Sequence, residues 1–270
     1  MKIKDLLFLT TFKTKPKIYP FAIKRITLPV EGEIFYAQWL HPKEAQKQIR
    51  QKEVDELRTF LAPGDVAIDI GAHTGDSTLP IALAVGSKGV VLALEPNPYV
   101  FRILEENAKL NQQCTRIIPL NFAATVKCGE FDSYYSDSGF CNGGLHEDLS
   151  RWIHFHTHKL RVSGQNIADF LSKEYPDLVT RIRYIKVDTE GHDLTILLTL
   201  ANLISQVRPF IRAEVYRHLS AKQRQDFFRV VTNFGYSIHR IESPTQYIGM
   251  RLNESNFMNC SHFDIFCVPK

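Results

Sequence analysis

The sequence predicts an α/β fold of the doubly wound, nucleotide-binding kind, and two segments carry that expectation. In residues 65–96 (DVAIDIGAHTGDSTLPIALAVGSKGVVLALEP) an apolar run, Val66–Ile70, leads into a turn holding Gly71 and Gly75. A helical stretch follows, then a second apolar run, Val90–Leu94, that ends on Glu95. The second segment, residues 184–193 (YIKVDTEGHD), repeats the plan: a short apolar strand ending in carboxylates, a glycine, then a helix over Leu194–Leu203. In sheets of this kind ligands lie beyond the carboxyl ends of the strands.

The remaining elements follow from periodicity and punctuation. Gly32–Leu40 alternates as a strand or hairpin arm. Glu44–Leu61 reads as a helix, with Ile49, Val54, Leu57 and Leu61 at near-helical spacing, and Pro63-Gly64 breaks it before the first core strand. Tyr99–Leu110 is expected to be a helix turning Phe101 and Leu104 inward; Ile117–Thr125 is a third strand and Phe131–Tyr135 a short one. Ser136–Leu145 (SDSGFCNGGL), with three glycines and few apolar anchors, reads as a loop. It opens a candidate substrate loop over residues 136–161. Trp152–Val162 looks extended, and Asn166–Leu171 starts a helix. Phe210–Val215 is a strand and Ala221–Phe234 a helix, while Tyr236–Ile241 and Phe263–Val268 form a closing antiparallel pair. Neither a repeat nor a low-complexity linker interrupts the chain. The expected organisation is one domain over 1–270, with an N-terminal extension and lead-in helix (1–62) and a catalytic core (63–270).

The turn after the first core strand narrows the ligand. Glycine permits a sharp turn and close backbone approach, and the helix beyond offers unpaired N–H groups and a positive dipole end to an anion. Glu95 can accept hydrogen bonds from both hydroxyls of a ribose. A dinucleotide fingerprint needs G-x-G-x-x-G so that a pyrophosphate can approach. Here His73 occupies the middle glycine position and only Gly71-x-x-x-Gly75 remains. That spacing suits a phosphate-free ligand whose carboxylate meets the helix start, such as S-adenosylmethionine. A structural half-sheet holding another nucleotide is the competing reading.

With these motifs the chain resembles the FkbM-type family of S-adenosylmethionine-dependent methyltransferases. Members carry a D-x-G-A-x-x-G turn, an E-P after the second strand and a later I-K-x-D-x-E-G segment. The counterparts here are Asp69–Gly75, Glu95-Pro96 and Ile185–Gly191, within a likeness running from about Glu53 to about Glu214. The resemblance implies a Rossmann-like class I fold: a seven-stranded, mostly parallel sheet with helices on both faces and one antiparallel strand near the carboxyl end. It also implies that the cofactor meets Asp69, Gly71, Ala72, His73, Thr74, Gly75, Glu95, Pro96, Asn97, Ala123 and Asp188. His73 departs from the family, which usually has asparagine there, and is expected to change contacts at the ligand's methionine end.

Four residues are candidates for catalysis: Asp188, Glu190, His192 and Glu214. Asp188 and Glu214 end strands expected to be neighbours, so both should point toward the crevice. Methyl transfer is an in-line displacement at a carbon with a good leaving group, so alignment supplies most of the acceleration. A hydroxyl acceptor must still lose its proton to a carboxylate or imidazole. Asp188 could touch either the methionine ammonium or the acceptor. Each of the others also has a structural reading. Glu190 could serve a helix N-terminus, His192 could be an ordinary helix residue, and Glu214 could pair with Arg212 or Arg217. His154, His156 and His158 alternate along one presumed strand. Metal binding, a polar acceptor wall and plain surface histidines are all open for them; no metal site is expected. Some O-methyltransferases hold magnesium at the fourth-strand acid, which leaves that option to Asp188.

Composition fits an enzyme with one large α/β core, at 270 residues, 44% hydrophobic and 23% charged. No apolar run reaches membrane-span length. The opening MKIKDLLFLTTFKTK has only a brief apolar stretch and no small-residue cleavage site, so it makes a poor signal peptide. The five scattered cysteines lack C-x-x-C pairs and read as reduced thiols, which points to the cytoplasm. A formal charge of +4 makes no case for nucleic acid, although Lys2–Arg25 gathers seven basic residues against Asp5 alone. That arm reads as a solvated terminus or as a binder of phosphate or anionic lipid. Asn97-Pro98-Tyr99 echoes the N-P-P-Y of nucleic-acid methyltransferases but has one proline and follows the wrong strand. The expected activity is methyl transfer to a hydroxyl oxygen of a sugar or secondary metabolite, and the expected partner a small-molecule or peptide acceptor. N-methylation of peptide side chains, a non-catalytic nucleotide-binding module and a nicotinamide oxidoreductase are the alternatives, the last disfavoured by His73. Oligomeric state has no signature in the sequence.

Overall fold

Strand β3 (Val66–Ile70) and strand β4 (Val90–Leu94) are buried at every position, as expected of parallel strands covered on both faces. Their side chains alternate between two cores. Val66, Ile68, Ile70, Val90, Leu92 and Leu94 join one apolar cluster, while Ala67, Val91 and Ala93 join the other. In the computed structural model, which describes residues 18–136, 157–259 and 261–270, these two strands lie in a seven-stranded sheet. Its other members are β5 (Ile117–Leu120), β9 (Ile182–Val187), β10 (Phe210–Val215), β11 (Tyr236–Arg240) and β12 (Phe263–Pro269).

The order across the sheet is β11-β12-β10-β9-β3-β4-β5. The pairs β3–β4, β4–β5, β3–β9 and β9–β10 are parallel, whereas β12 runs antiparallel between β10 and β11. The chain therefore leaves β3 toward one edge and returns to its other side with β9. That reversal opens a crevice at the carboxyl ends of β3, β4 and β9, where such sheets hold ligands. The strand number, the parallel majority and the single antiparallel strand agree with the expectation.

Helices cover both faces. Helices α1 (Gln51–Leu57) and α2 (Thr78–Val85) pack with α3 (Pro98–Lys109) on the Ala67 side. On the opposite side lie α4 (Ile167–Glu174), α6 (Asp193–Thr199), α7 (Ala201–Val207) and α8 (Ala221–Asn233). Two short helices, α5 (Pro176–Val179) and α9 (Glu254–Asn259), complete the set among the described residues. The expected helix over Glu44–Leu61 is shorter, and the one over Leu194–Leu203 is split at Leu200 into α6 and α7. The third strand likewise divides, into β5 and β6 (Ala123–Ala124). Strand β6 pairs with β8 (Thr157–Gln165), which pairs in turn with β7 (Gly129–Ser136) in a small second sheet. Most of the candidate loop 136–161, with His154 and His156, lies outside the described residues.

An N-terminal hairpin, β1 (Phe21–Leu28) and β2 (Gly32–Trp39), docks against α3. The open edge of β2 is satisfied by two asparagines four residues apart. Asn107 accepts from the Ala37 N–H at 2.7 Å and donates to the Ala37 carbonyl at 3.1 Å. Asn111 makes the same pair of bonds with Phe35, both at 2.8 Å. Asn107 lies in α3 and Asn111 just past its end, in left-handed backbone (φ 61°), and together the two amides imitate a neighbouring strand.

Candidate active site

The turn after β3 is built on left-handed backbone. Gly71 has φ 80°, His73 φ 49° and Gly75 φ 91°. Asparagine, aspartate and histidine are the side-chain-bearing residues that enter this region most readily. Histidine is therefore compatible with the backbone that this position requires. Gly71 is forced for a second reason. A Cβ there would lie 2.0 Å from the carbonyl oxygen of Asp188, so the ends of β3 and β9 abut with no room for a side chain.

Glu95 faces this turn from the end of β4. Its Oε2 accepts from the His73 N–H at 3.1 Å and its Oε1 from the Asn97 N–H at 2.8 Å. Burial outweighs those two bonds and raises its carboxyl to about 7. Asn97 caps α3 through Oδ1, which accepts from the Tyr99 N–H, while its buried Nδ2 has no hydrogen-bond partner among the described residues. Asn121 donates to the carbonyls of Glu95 and Pro96 at 2.8 and 3.2 Å, tying the end of β5 to this segment. Ala123 follows in β6 and is buried.

Beneath the turn, Asp69 is wholly buried, and protein donors take both its oxygens. Oδ2 accepts from Ser77 Oγ (2.8 Å) and Thr78 Oγ1 (2.7 Å), and Oδ1 pairs with Lys186 Nζ at 2.9 Å. Thr74 is similarly occupied: its hydroxyl meets Tyr36 Oη at 2.8 Å and its carbonyl accepts from Asn107 Nδ2 at 2.8 Å. These two residues hold the turn in shape from below. Helix α2 begins only at Thr78, and the Ala72 N–H is spent on the Leu94 carbonyl at 2.9 Å. His73 is pulled below its ordinary pKa by burial, and its ring lies 6.0 Å from that of Trp39, edge to face.

Lys186 joins the two halves of the crevice. Besides Asp69 it donates to the Gly71 carbonyl at 3.1 Å, and its Nζ lies 3.6 Å from Asp188 Oδ2. Burial works against the ammonium, but Asp69 and Asp188 outweigh it and hold the group above its ordinary range.

On the far side, Asp188 and Glu214 occupy adjacent strand ends, directly after the paired residues Val187 and Ala213. Oxygens of Asp188, Glu190 and Glu214 all lie within 4.8 Å of one another. Glu190 (φ 55°) and Gly191 (φ 104°) form a left-handed turn, and a Cβ on Gly191 would reach 3.1 Å from the Tyr216 ring. His192 takes the N-cap position of α6 without a side-chain capping bond. Asp193 staples this turn instead: Oδ1 accepts from the Glu214 N–H at 2.9 Å, and Oδ2 from the Thr189 hydroxyl at 2.9 Å and its N–H at 3.3 Å. Burial raises the Asp193 carboxyl to about 7. Glu214 is raised further, to about 9, first by burial and then by the negative charges of Asp188, Glu190, Asp193 and Asp264. Arg212 pairs with Asp264 at 2.6 Å, and His262 Nε2 lies 3.4 Å from Glu214 Oε1.

The structure thus gathers Asp188, Glu190 and Glu214 into one cluster and sets Gly71, His73, Glu95 and Asn97 around a second. Lys186, Asp193, Asn107 and Asn121 carry no role that the sequence alone assigns. Only Lys186 has a local signal, a lone charge inside the apolar strand YIKV.

Residues 69–240 match the methyltransferase FkbM domain, well over half of the chain. The hexuronic acid methyltransferase AglP of Haloferax volcanii is 27% identical over 176 residues, covering 63% of this chain and 65% of that protein. Among solved structures, methyltransferase FkbM from Methylobacillus flagellatus superposes with a TM-score of 0.44 at 16% identity, over 76% of this chain and 44% of that one. The chain therefore spans less than two thirds of either relative. Aeropyrum pernix fibrillarin, a structure with natively bound S-adenosylmethionine, has a TM-score of 0.45 at 10% identity, over 95% and 98% of the two chains. The fold class follows from the strand order above, not from these distant superpositions. The matched span takes in both halves of the crevice, from Asp69 under the glycine turn through Glu214 on β10, and the chain belongs to the FkbM family of S-adenosylmethionine-dependent methyltransferases.

Proposed function

We propose that the protein transfers a methyl group from S-adenosylmethionine to a hydroxyl oxygen of a sugar. The observation that carries this reading is the direct contact between the two halves of the crevice. Lys186 touches both the Gly71 carbonyl and Asp188, so a cofactor set against Glu95 and an acceptor set against the acid cluster would be neighbours.

The residues suit the cofactor. Each Glu95 oxygen accepts one backbone N–H, which leaves lone pairs for two ribose hydroxyls. The unpartnered Asn97 Nδ2 is a buried donor fit for an acceptor nitrogen or oxygen of the nucleoside. Gly71, Ala72, His73 and Gly75 shape the turn that receives the amino-acid end, while Asp69 and Thr74 brace it. When bound, the cofactor supplies an electrophilic methyl group on a sulfonium.

The chain's part is alignment and proton removal. Asp188, half exposed at the end of β9, takes the proton of the acceptor hydroxyl. Glu214, on the neighbouring strand, faces the same acceptor side, where vicinal sugar hydroxyls can reach both acids. Glu190 and Tyr216 wall the same side, and His192 positions the start of α6. A sugar acceptor is favoured because the curated relative is named for a hexuronic acid. The unpaired thiols of Cys114, Cys128 and Cys267 suit a cytoplasmic enzyme.

Calorimetry with S-adenosylhomocysteine tests the cofactor half: saturable binding is expected, and Glu95→Ala should abolish it. Labelled donor incubated with neutral sugars and uronic acids, followed by mass spectrometry, tests the acceptor half. Glu214→Ala should lose turnover while keeping cofactor affinity. Label on a nitrogen, or no label on any sugar, would overturn the assignment.

A further inference from the structure

On the acceptor side one buried carboxylate oxygen is left without a donor among the described residues. Glu214 is 8% exposed, and its Oε2 is buried with no hydrogen-bond partner among the described residues. That oxygen belongs to a side chain whose carboxylate lies within 4.8 Å of both Asp188 and Glu190. The basic side chains near that Glu214 oxygen face other atoms. Lys186 bonds to Asp69 and the Gly71 carbonyl, Arg212 bonds to Asp264, and His262 faces the other Glu214 oxygen.

We propose that Asp188, Glu190 and Glu214 form a binding site for a hard divalent cation, magnesium or manganese, on the acceptor side of the crevice. The donor set is made wholly of carboxylate oxygen, which selects such ions over zinc or copper. Around magnesium, with ligand oxygens at about 2.0–2.1 Å, adjacent ligands lie about 2.9 Å apart and opposite ones about 4.2 Å. Small side-chain rotations close the triad onto one ion. Magnesium takes six ligands in near-octahedral geometry and parts reluctantly with water, so three monodentate carboxylates leave three positions open. Those positions are suited to water or to oxygens of the acceptor. The ion would also remove a conflict in the proposed sugar methylation, on which this inference rests: three clustered acids repel a uronic acid, whereas an ion among them attracts both its hydroxyls and its carboxylate.

The test uses the full chain alone at neutral pH, without donor or acceptor. Manganese is titrated and its free signal followed by electron paramagnetic resonance, with magnesium as competitor. Saturable uptake of one ion per chain is expected, displaced by magnesium and weakened at least tenfold by Glu190→Gln and by Glu214→Gln. Circular dichroism reports whether each variant folds. Glu190 sits in a half-buried turn, so Glu190→Gln carries the comparison if Glu214→Gln does not fold. No uptake at millimolar manganese, or equal uptake by a folded variant, overturns the cation site. Calorimetry with S-adenosylhomocysteine on the same samples separates the two ideas. Cofactor binding without manganese uptake defeats only the ion, while absent cofactor binding defeats the proposed activity whatever the ion does.

Discussion

Replacing Gly71 by alanine isolates the closest approach in the crevice. The new methyl group would sit 2.0 Å from the Asp188 carbonyl oxygen, against an ordinary carbon–oxygen approach of about 3.3 Å. The ends of β3 and β9 would have to part by more than 1 Å (about the difference between those distances). That movement breaks the 3.0 Å bond from the Asp188 N–H to the Ile70 carbonyl. Three costs combine. Left-handed backbone in a non-glycine residue costs about 1–2 kcal/mol, overpacking a tight site about 1–3 kcal/mol, and the lost hydrogen bond about 1 kcal/mol. The total is about 3–6 kcal/mol, a large share of a typical folding free energy. Gly86→Ala is the control, because Gly86 (φ 67°, ψ −177°) carries backbone strain but a methyl group added there would meet nothing within 4 Å; only the backbone cost of about 1–3 kcal/mol applies. Urea unfolding of both variants gives the difference, and calorimetry with S-adenosylhomocysteine should show binding lost only in Gly71→Ala. Equal destabilisation of the two variants would refute the claim that the strand ends touch at this point.

Three further outcomes are expected. Lys186→Met leaves the buried Asp69 carboxylate unpaired and should cost about 3–5 kcal/mol, read by urea unfolding; adding Asp69→Asn should recover part of it. Asn107→Leu strands the Ala37 N–H and the carbonyls of Ala37 and Thr74. At about 1–3 kcal/mol for each buried group left unpaired, the loss should reach 3 kcal/mol or more (about the lower sum), and hydrogen exchange at the Ala37 amide should accelerate. Glu95 gives a pH signature. Its carboxyl is raised from 4.5 to about 7 in the folded chain, so the native state binds the extra proton between those values. Its contribution to stability is therefore largest below pH 4.5 and falls as pH rises to about 7, by at most about 3 kcal/mol. Ribose hydroxyls favour the ionised form, so affinity for S-adenosylhomocysteine should rise with pH up to about 7 and then level off. In Glu95→Gln that rise should vanish, as calorimetry across pH 6–8 (a span of about two units around this value) would show.

The layout of the sheet was legible because its signals are local. Val66–Ile70 and Val90–Leu94 are apolar runs closed by glycine or an acid, and each begins and ends where the sequence says. The left-handed turn was half legible: Gly71 and Gly75 announced it, whereas nothing in the sequence marks His73 as sharing the same backbone region. What stayed hidden depends on pairs distant in sequence. Asp69 stands in the motif, but its partners Ser77, Thr78 and Lys186 become visible only in the fold. Nothing near residue 193 reveals that Asp193 anchors the Glu214 backbone, since the bond exists only once β9 and β10 are neighbours. Asn107 stands on α3 and Asn111 just beyond its end, and their purpose appears only when the hairpin docks. The division of Leu194–Leu203 at Leu200 has no proline or glycine to mark it.

The hairpin's attachment bears on where this protein can be cut. Residues 69–240 define the family match, yet Tyr36 and Asn107 grip Thr74 from opposite sides, and Tyr36 comes from well upstream of that boundary. A fragment trimmed to the matched span would keep the glycines and lose half of their scaffold, uncovering the amides of Asn107 and Asn111 and the apolar wall beneath them. A piece that keeps this bracing of the glycine turn therefore begins no later than Gly32, at the start of β2.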